Sequence, residues 1–185
     1  MPILAKETSL FPESLLESPD DRSPGAQWMV LYTKARQEKS LARELLRRSI
    51  AFYLPLVKKT RQYGRRQVAS FGPLFGGYVF MCGSESDRLT ALTTNRILRV
   101  LLVGDEAGFV NDLCQIQRLI AANVPLTVES RLQAGMRVRV RTGPFAGVEG
   151  TVLRRRGEIR LLVSINFLQQ GASVEIEDFH LEPLD

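Results

Sequence analysis

Histidine occurs once in the 185-residue chain, at His180, and cysteine only twice, at Cys82 and Cys114. The two cysteines lie far apart without a CxxC pair, which predicts reduced thiols in a cytoplasmic protein. A single histidine cannot complete a metal site with either of them, and no GxSxG nucleophile elbow occurs. We therefore predict that the protein is not an enzyme and has no catalytic residue, metal or cofactor.

Long apolar runs are also missing. The best run, ILRVLLV, is interrupted by Arg99 and is far shorter than the roughly 18 residues that cross a bilayer. The first 25 residues lack a basic start followed by an apolar core, so no secretory signal is predicted. Both absences predict a protein without a membrane partner.

The net charge of +5 is distributed unevenly along the chain. Residues 1–25 carry 2 basic and 5 acidic side chains, and residues 127–185 carry 8 of each. Residues 26–126 carry 15 basic and 7 acidic side chains, a net charge of +8. The positive field therefore belongs to the middle segment, for which a polyanion or an acidic protein is the natural partner.

The glycine-rich stretch RTGPFAGVEG, residues 141–150, has to be tested as a phosphate site. A Walker loop needs GxxxxGK followed by Ser or Thr, but Val148 stands five residues after Gly143 and no lysine is near. A dinucleotide GxGxxG would need glycine where Phe145 stands. Both patterns fail, which favours a tight structural turn set by Pro144, with Phe145 folding back onto the end of a barrel.

Two domains are predicted from the order of elements. The first domain is predicted to have the order β-α-β-β-β-α-β-α. Its strands are QWMVLYT, FYLPLVKK with the hairpin that turns at Gly64, PLFGGYVFMC and ILRVLLV. Its helices cover about 35–48, the stretch capped by Ser84, and about 109–122. This order predicts an α+β fold, an α/β sandwich with a mainly antiparallel sheet. The five short stretches MRVRVR, GTVLRRR, IRLLVSINF, SVEIE and FHLE predict a small all-β barrel.

The predicted boundaries follow from these elements. We expect a disordered leader over residues 1–25 (alternatively, LFPESLL is a docking peptide), a first domain over 26–122, a linker over 123–130 and a barrel over 131–185.

A basic surface is predicted on the first helix and the following hairpin. Arg36, Lys39, Arg43 and Arg47 project within an arc of about 80° on a helix, and the hairpin KKTRQYGRR adds further cations. A solvated face is the simpler alternative, but together the two segments favour nucleic acid. The candidate nucleic-acid-binding residues are Lys34, Arg36, Lys39, Arg43, Arg47, Arg61, Arg65 and Arg66.

Two motifs carry a resemblance to a known family. AGMRVRVRTGPFAGVEGTVLRR resembles a KOW motif, which implies that the predicted barrel is SH3-like. QWMVLYTKARQEK and PLFGGYVF resemble the first strand and the P-L-F-P-G-Y-V-F stretch of the NusG N-terminal domain. Together they cover almost everything from Gln27 to Pro183. The chain resembles the NusG family of transcription elongation factors, and is more similar to its specialised RfaH-like antiterminators than to housekeeping NusG.

The resemblance implies partners and site residues. An apolar surface on the first domain would bind the clamp helices of the largest RNA polymerase subunit, and the basic surface would lie beside non-template or upstream DNA. The matching polymerase-binding residues are Tyr32, Phe75, Tyr78 and Phe80, and Gly76 stands where the family usually has proline. In the barrel, Phe167 lies near the position that meets a small-subunit ribosomal protein, and a core position is an equal alternative for this side chain. A termination factor is the other partner expected for the barrel.

The implied function is the suppression of pausing and termination during transcription elongation. A KOW-containing RNA-binding protein of the ribosome is the main alternative, and a scaffold without nucleic acid contact is the third. A ribosomal protein is more often basic throughout, whereas the predicted barrel here is neutral.

Overall fold

The computed structural model describes residues 6–18, 22–129, 135–155, 158–176 and 181–184. The chain divides into two compact units, Met1–Glu106 and Ala107–Asp185. No helix in these described ranges is long and apolar enough to cross a membrane.

Strands outnumber helices in both units. The first contains β1 (Leu10–Phe11), β2 (Gln27–Thr33), α1 (Glu38–Arg47), β3 (Ala51–Tyr53), β4 (Leu56–Tyr63), β5 (Arg66–Pro73), β6 (Tyr78–Gly83), α2 (Glu85–Leu92) and β7 (Ile97–Leu102). These are followed by α3 (Glu106–Ala121), β8 (Thr127–Glu129), β9 (Arg137–Val140), β10 (Glu149–Arg155), β11 (Glu158–Ile165), a 3-10 turn (Asn166–Leu168), β12 (Gln170–Glu175) and β13 (Leu181–Pro183).

The first unit is built on a five-stranded sheet in the order β1-β3-β6-β2-β7, with antiparallel neighbours throughout. Strands alternate their side chains between two faces, so Met29 and Leu31 of β2 share one face with Val79 and Met81 of β6. This face packs with the apolar side of α1 in a single buried cluster. The prediction of a mixed α and β fold with a mainly antiparallel sheet is confirmed.

Helix α1 is shorter than predicted. It begins at Glu38 rather than near residue 35, and Arg36 precedes it with a left-handed φ of +60°. Arg36 therefore does not continue the helical row of Lys39, Arg43 and Arg47. Leu41, Ala42 and Leu45 are buried on the opposite side of the helix, as its periodicity predicts.

Part of the predicted disordered leader is folded. Leu10 and Phe11 form β1 and pair with Tyr53 and Phe52 of β3, while Leu15 and Leu16 are buried. LFPESLL thus contributes its apolar side chains to its own domain instead of presenting them as a docking peptide. The segment is ordered because β3 would otherwise be an open sheet edge. Two residues of this Pro-, Ser- and Glu-rich segment are enough to pair with that edge. Residues 1–5 and 19–21 of the predicted leader lie outside the described residues.

The second unit contains an antiparallel sheet in the order β13-β9-β10-β11-β12-β8. Strand β8 lies within the predicted linker and pairs with β12, so residues 127–129 of that linker form a sheet edge. Helix α3 begins at Glu106 and falls almost wholly in this unit, whereas the sequence placed it in the first domain. The domain limits 26–122 and 131–185 and the SH3-like barrel remain predictions.

The glycine stretch forms the predicted turn between β9 and β10. Gly143 and Gly147 have φ of +88° and +83°, a region that favours glycine. The amide of Gly147 donates to the Val140 carbonyl at 2.8 Å, and Phe145 is buried. A Cβ on Gly150 would approach the Leu162 carbonyl oxygen to 2.4 Å, so this glycine permits close strand packing.

Candidate functional site

A groove of about 600 Å³ runs between α1 and the β4–β5 hairpin; we call it the basic groove. Five of its described lining residues are cationic, and they come from three segments of the chain: Arg36, Lys39, Arg43, Lys59 and Arg61. The structure therefore brings cations of the first helix and of the hairpin, the two segments of the predicted basic surface, to one groove. Several like charges facing one groove repel one another, and a polyanion would relieve that repulsion.

Strand alternation explains why the hairpin cations face α1. Lys59 and Arg61 are two residues apart in β4 and so share a face, opposite Ser70 and Val68 of β5. Lys59 also donates to the Pro73 carbonyl at 2.9 Å. The sequence prediction included Lys59 in the basic hairpin but named only Arg61 individually on β4, although the period-two spacing of the two residues could have identified Lys59.

The remaining predicted DNA-binding residues lie outside the lining of this groove. Arg65 and Arg66 are exposed at the end of the hairpin, where they could extend the positive surface. Lys34 donates to the Asn95 side chain at 3.0 Å. Arg47 donates to Glu44 at 3.0 Å, so part of its charge is neutralised within the helix.

A pair of tyrosines marks the predicted polymerase-binding surface. Tyr32 of β2 and Tyr78 of β6 are direct cross-strand partners, with ring centroids 5.3 Å apart and ring planes tilted by 43°. Tyr32 is 40% exposed and Tyr78 is half-buried. We call these two residues the tyrosine pair; it offers aromatic area for contact with an apolar partner.

Phe75 and Phe80 are placed differently from the tyrosine pair. Both side chains are almost completely buried, at 1% and 0% exposure, and the Phe80 ring lies 6.3 Å from that of Tyr53. Of the four predicted polymerase-binding residues, only the tyrosine pair presents surface in this structure. Strand alternation correctly places Tyr78 and Phe80 on one face but cannot tell which part of that face is covered.

The turn before β6 joins the basic groove to the tyrosine pair. Gly76 lines the groove, and the amide of Gly77 donates to Glu38 Oε1 at 2.7 Å. Glu38 is 8% exposed, and a Cβ on Gly77 would lie 3.0 Å from Tyr32 Cε2. Glu38 was missed by sequence reasoning because a glutamate in the first turn of a helix is common and has no special spacing.

In the second unit, Phe167 lies in the 3-10 turn after β11 and is 39% exposed. Its ring meets Phe109 of α3 edge to face, with centroids 5.8 Å apart. Asp112 Oδ2 accepts hydrogen bonds from the backbone and side-chain nitrogens of Asn166 at 2.9 and 3.1 Å. Phe167 is thus held by α3 and still partly accessible. His180 lies outside the described residues.

Comparison with known proteins identifies the family. The family model described as "Transcription termination factor nusG" matches residues 26–119, half of the chain. A search of curated proteins gives no significant match.

Solved structures that the chain is similar to include the one titled "Domain interaction in Thermotoga maritima NusG", at 16% identity and a TM-score of 0.43 over 86% of this chain and 98% of that one. A second is the MjSpt4:Spt5 complex, at 14% identity and a TM-score of 0.28 over 86% of this chain and 99% of that one. On the match over residues 26–119, which contains the basic groove and the tyrosine pair, the chain belongs to the NusG family of transcription factors.

Proposed function

We propose that this chain is a cytoplasmic, non-catalytic transcription elongation factor that suppresses pausing and termination. The tyrosine pair binds the clamp helices of the largest RNA polymerase subunit. The basic groove contacts the non-template or upstream DNA of the same complex. The C-terminal KOW barrel, through the region of Phe167, recruits a second protein such as a ribosomal protein or a termination factor.

One observation carries this proposal: the basic groove and the tyrosine pair are joined by a single hydrogen-bonded turn. Gly76 lines the groove, while Gly77 is fixed by Glu38 and lies against Tyr32. Two surfaces of different chemistry, one cationic and one aromatic, therefore have a fixed relative position. A partner that offers an apolar protein surface next to a nucleic acid strand satisfies both.

The proposed mechanism uses binding energy alone. A factor that binds one conformation of a larger machine more tightly than another shifts the population toward the bound conformation. Contacts to phosphates add affinity without reading bases, and they make binding dependent on salt because counterions are released. Favouring the elongating state of the polymerase in this way lowers the time spent paused.

Polymerase retention tests the aromatic contact. Replacing both Tyr32 and Tyr78 by alanine in the full chain should abolish or strongly weaken retention on core RNA polymerase, measured after nuclease treatment. Leu89→Ala, which changes an exposed apolar residue of α2, is the control and should bind normally. Retention of a folded double variant at the level of the wild-type chain would contradict the proposal.

In vitro transcription tests the direction of the effect. The family description names termination, whereas we expect increased read-through at a pause site and at a terminator when the full chain is added. The tyrosine variant should lose this effect. Unchanged read-through, or more termination, would overturn the antitermination role.

A further inference from the structure

An acidic residue of the N-terminal segment lies beside the basic groove. Glu7 Oε1 is 3.7 Å from Lys39 Nζ, and Glu7 Oε2 is 3.8 Å from Arg43 Nε. Lys39 and Arg43 are two of the cations that line the groove. The Glu7 carboxylate thus lies where a phosphate group of a nucleic acid would be expected to bind.

The N-terminal segment is held in this place by contacts on both sides of Glu7. Lys6 Nζ lies 5.8 Å from the centroid of the Phe71 ring in β5, and the Ser9 carbonyl accepts a hydrogen bond from the Leu54 amide at 2.7 Å. Strand β1 and the buried Leu15 and Leu16 follow. Because the segment is attached to its own domain, Glu7 has a high effective concentration at the two cations.

We propose that Glu7 is a built-in competitor of nucleic acid: its carboxylate neutralises Lys39 and Arg43, and a bound strand must displace it. This inference rests on the proposed role of the basic groove in DNA binding. The free chain then binds non-specific DNA weakly. Strong binding occurs when a second contact, such as the tyrosine pair on the polymerase, supplies the missing affinity.

The geometry makes this competitor weak enough to be displaced. Both ion pairs are longer than a hydrogen bond and lie at the surface, with one-third of the Lys39 and Glu7 side chains and over half of the Arg43 side chain exposed. Exposed ion pairs of this kind contribute little and are screened by salt. Glu7 therefore lowers the affinity for DNA rather than blocking the groove.

The test is the affinity of the full chain for a fluorescent single-stranded DNA oligonucleotide, measured by anisotropy at low salt. Glu7→Gln should bind about threefold more tightly than the wild-type chain, as expected from the loss of two exposed ion pairs. Glu17→Gln makes the same change in net charge at an exposed position of the same segment and serves as the control. The difference between the two variants should disappear at high salt.

A second pair of variants separates this inference from the proposed function. Lys39→Gln with Arg43→Gln should weaken DNA binding, and adding Glu7→Gln to that background should give no further gain. If the cation variant binds DNA as well as the wild-type chain, the groove is not the DNA site and both ideas fail. If it binds weakly while Glu7→Gln and Glu17→Gln behave alike, the DNA site stands and the competitor is overturned.

Discussion

The carboxylate of Glu38 accepts a hydrogen bond from the backbone amide of Gly77 at 2.7 Å, although the two residues are 39 positions apart. This contact fastens the start of α1 to the turn before β6. On one side of it lie cations of the basic groove, and on the other lies Tyr32. The relative position of the two proposed binding surfaces thus depends on one buried acceptor.

Glu38→Ala should destabilise the first unit, because the Gly77 amide loses its acceptor. Leaving a buried donor unsatisfied costs about 1–3 kcal/mol. Glu38→Gln keeps an oxygen acceptor and should lose less. Urea denaturation followed by circular dichroism measures both, and equal stability of the alanine variant and the wild-type chain would show that water replaces the carboxylate without loss.

Gly77→Ala should be destabilising by about 1–2 kcal/mol, because φ at Gly77 is +87° and this region is strained for any residue with a Cβ. The added methyl group would also press on the Tyr32 ring, so polymerase retention should fall. Gly76→Ala is the matched control, since a Cβ there meets nothing within 4 Å. Thermal unfolding of the two variants side by side decides the matter: similar melting temperatures would refute the strain argument.

Ser84→Ala should destabilise the protein by roughly 1 kcal/mol, the usual effect of losing an N-cap. Ser84 Oγ accepts from the Asp87 amide at 3.2 Å, and Asp87 Oδ2 accepts from the Ser84 amide at 2.8 Å. Ser86→Ala, at an exposed position of the same helix, should have little effect on the denaturation midpoint. A larger loss for Ser86→Ala than for Ser84→Ala would contradict the capping role.

Cys82 should react slowly with iodoacetamide at pH 8 in the folded chain. Burial raises the pKa of the Cys82 thiol from 9.0 to about 11, and this exceeds the opposing effect of Arg22. A thiol with a pKa of about 11 is almost wholly protonated at pH 8. The thiolate is the reactive form, so alkylation is slow. Mass spectrometry of a Cys114→Ser variant, folded and in urea, measures the difference; equally fast alkylation in both conditions would show that the thiol is accessible.

The same pKa shift predicts a dependence of stability on pH. The folded pKa lies above the ordinary value of 9.0, so the folded state holds this proton more tightly than the unfolded state. The contribution of Cys82 to stability is therefore complete below about pH 9 and is lost as the pH rises toward 11. Cys82→Ser should show a smaller fall in stability over this window.

Elements whose signals are local could be predicted from the sequence. The strand QWMVLYT, the hairpin turning at Gly64, the Ser84 cap and the turn around Gly143 all appear where the residues predict them. Each depends on side-chain alternation, a positive φ or a capping oxygen within a few residues. The start of α1 and the folded structure of residues 6–18 were not predicted from the sequence. Both depend on pairing and burial against parts of the chain that are distant in sequence.

The candidate site, like the fold, was only partly predictable from the sequence. The sequence by itself determined the chemistry: a basic first helix, a basic hairpin and an aromatic strand, since these are matters of composition and period. Only the tertiary structure decided which of these residues meet, because Lys59, Glu38 and Glu7 acquire their roles from partners distant in the sequence or on other elements. Burial likewise separated Tyr32 and Tyr78 from Phe75 and Phe80, since exposure depends on what packs against a strand and not on the strand's own pattern.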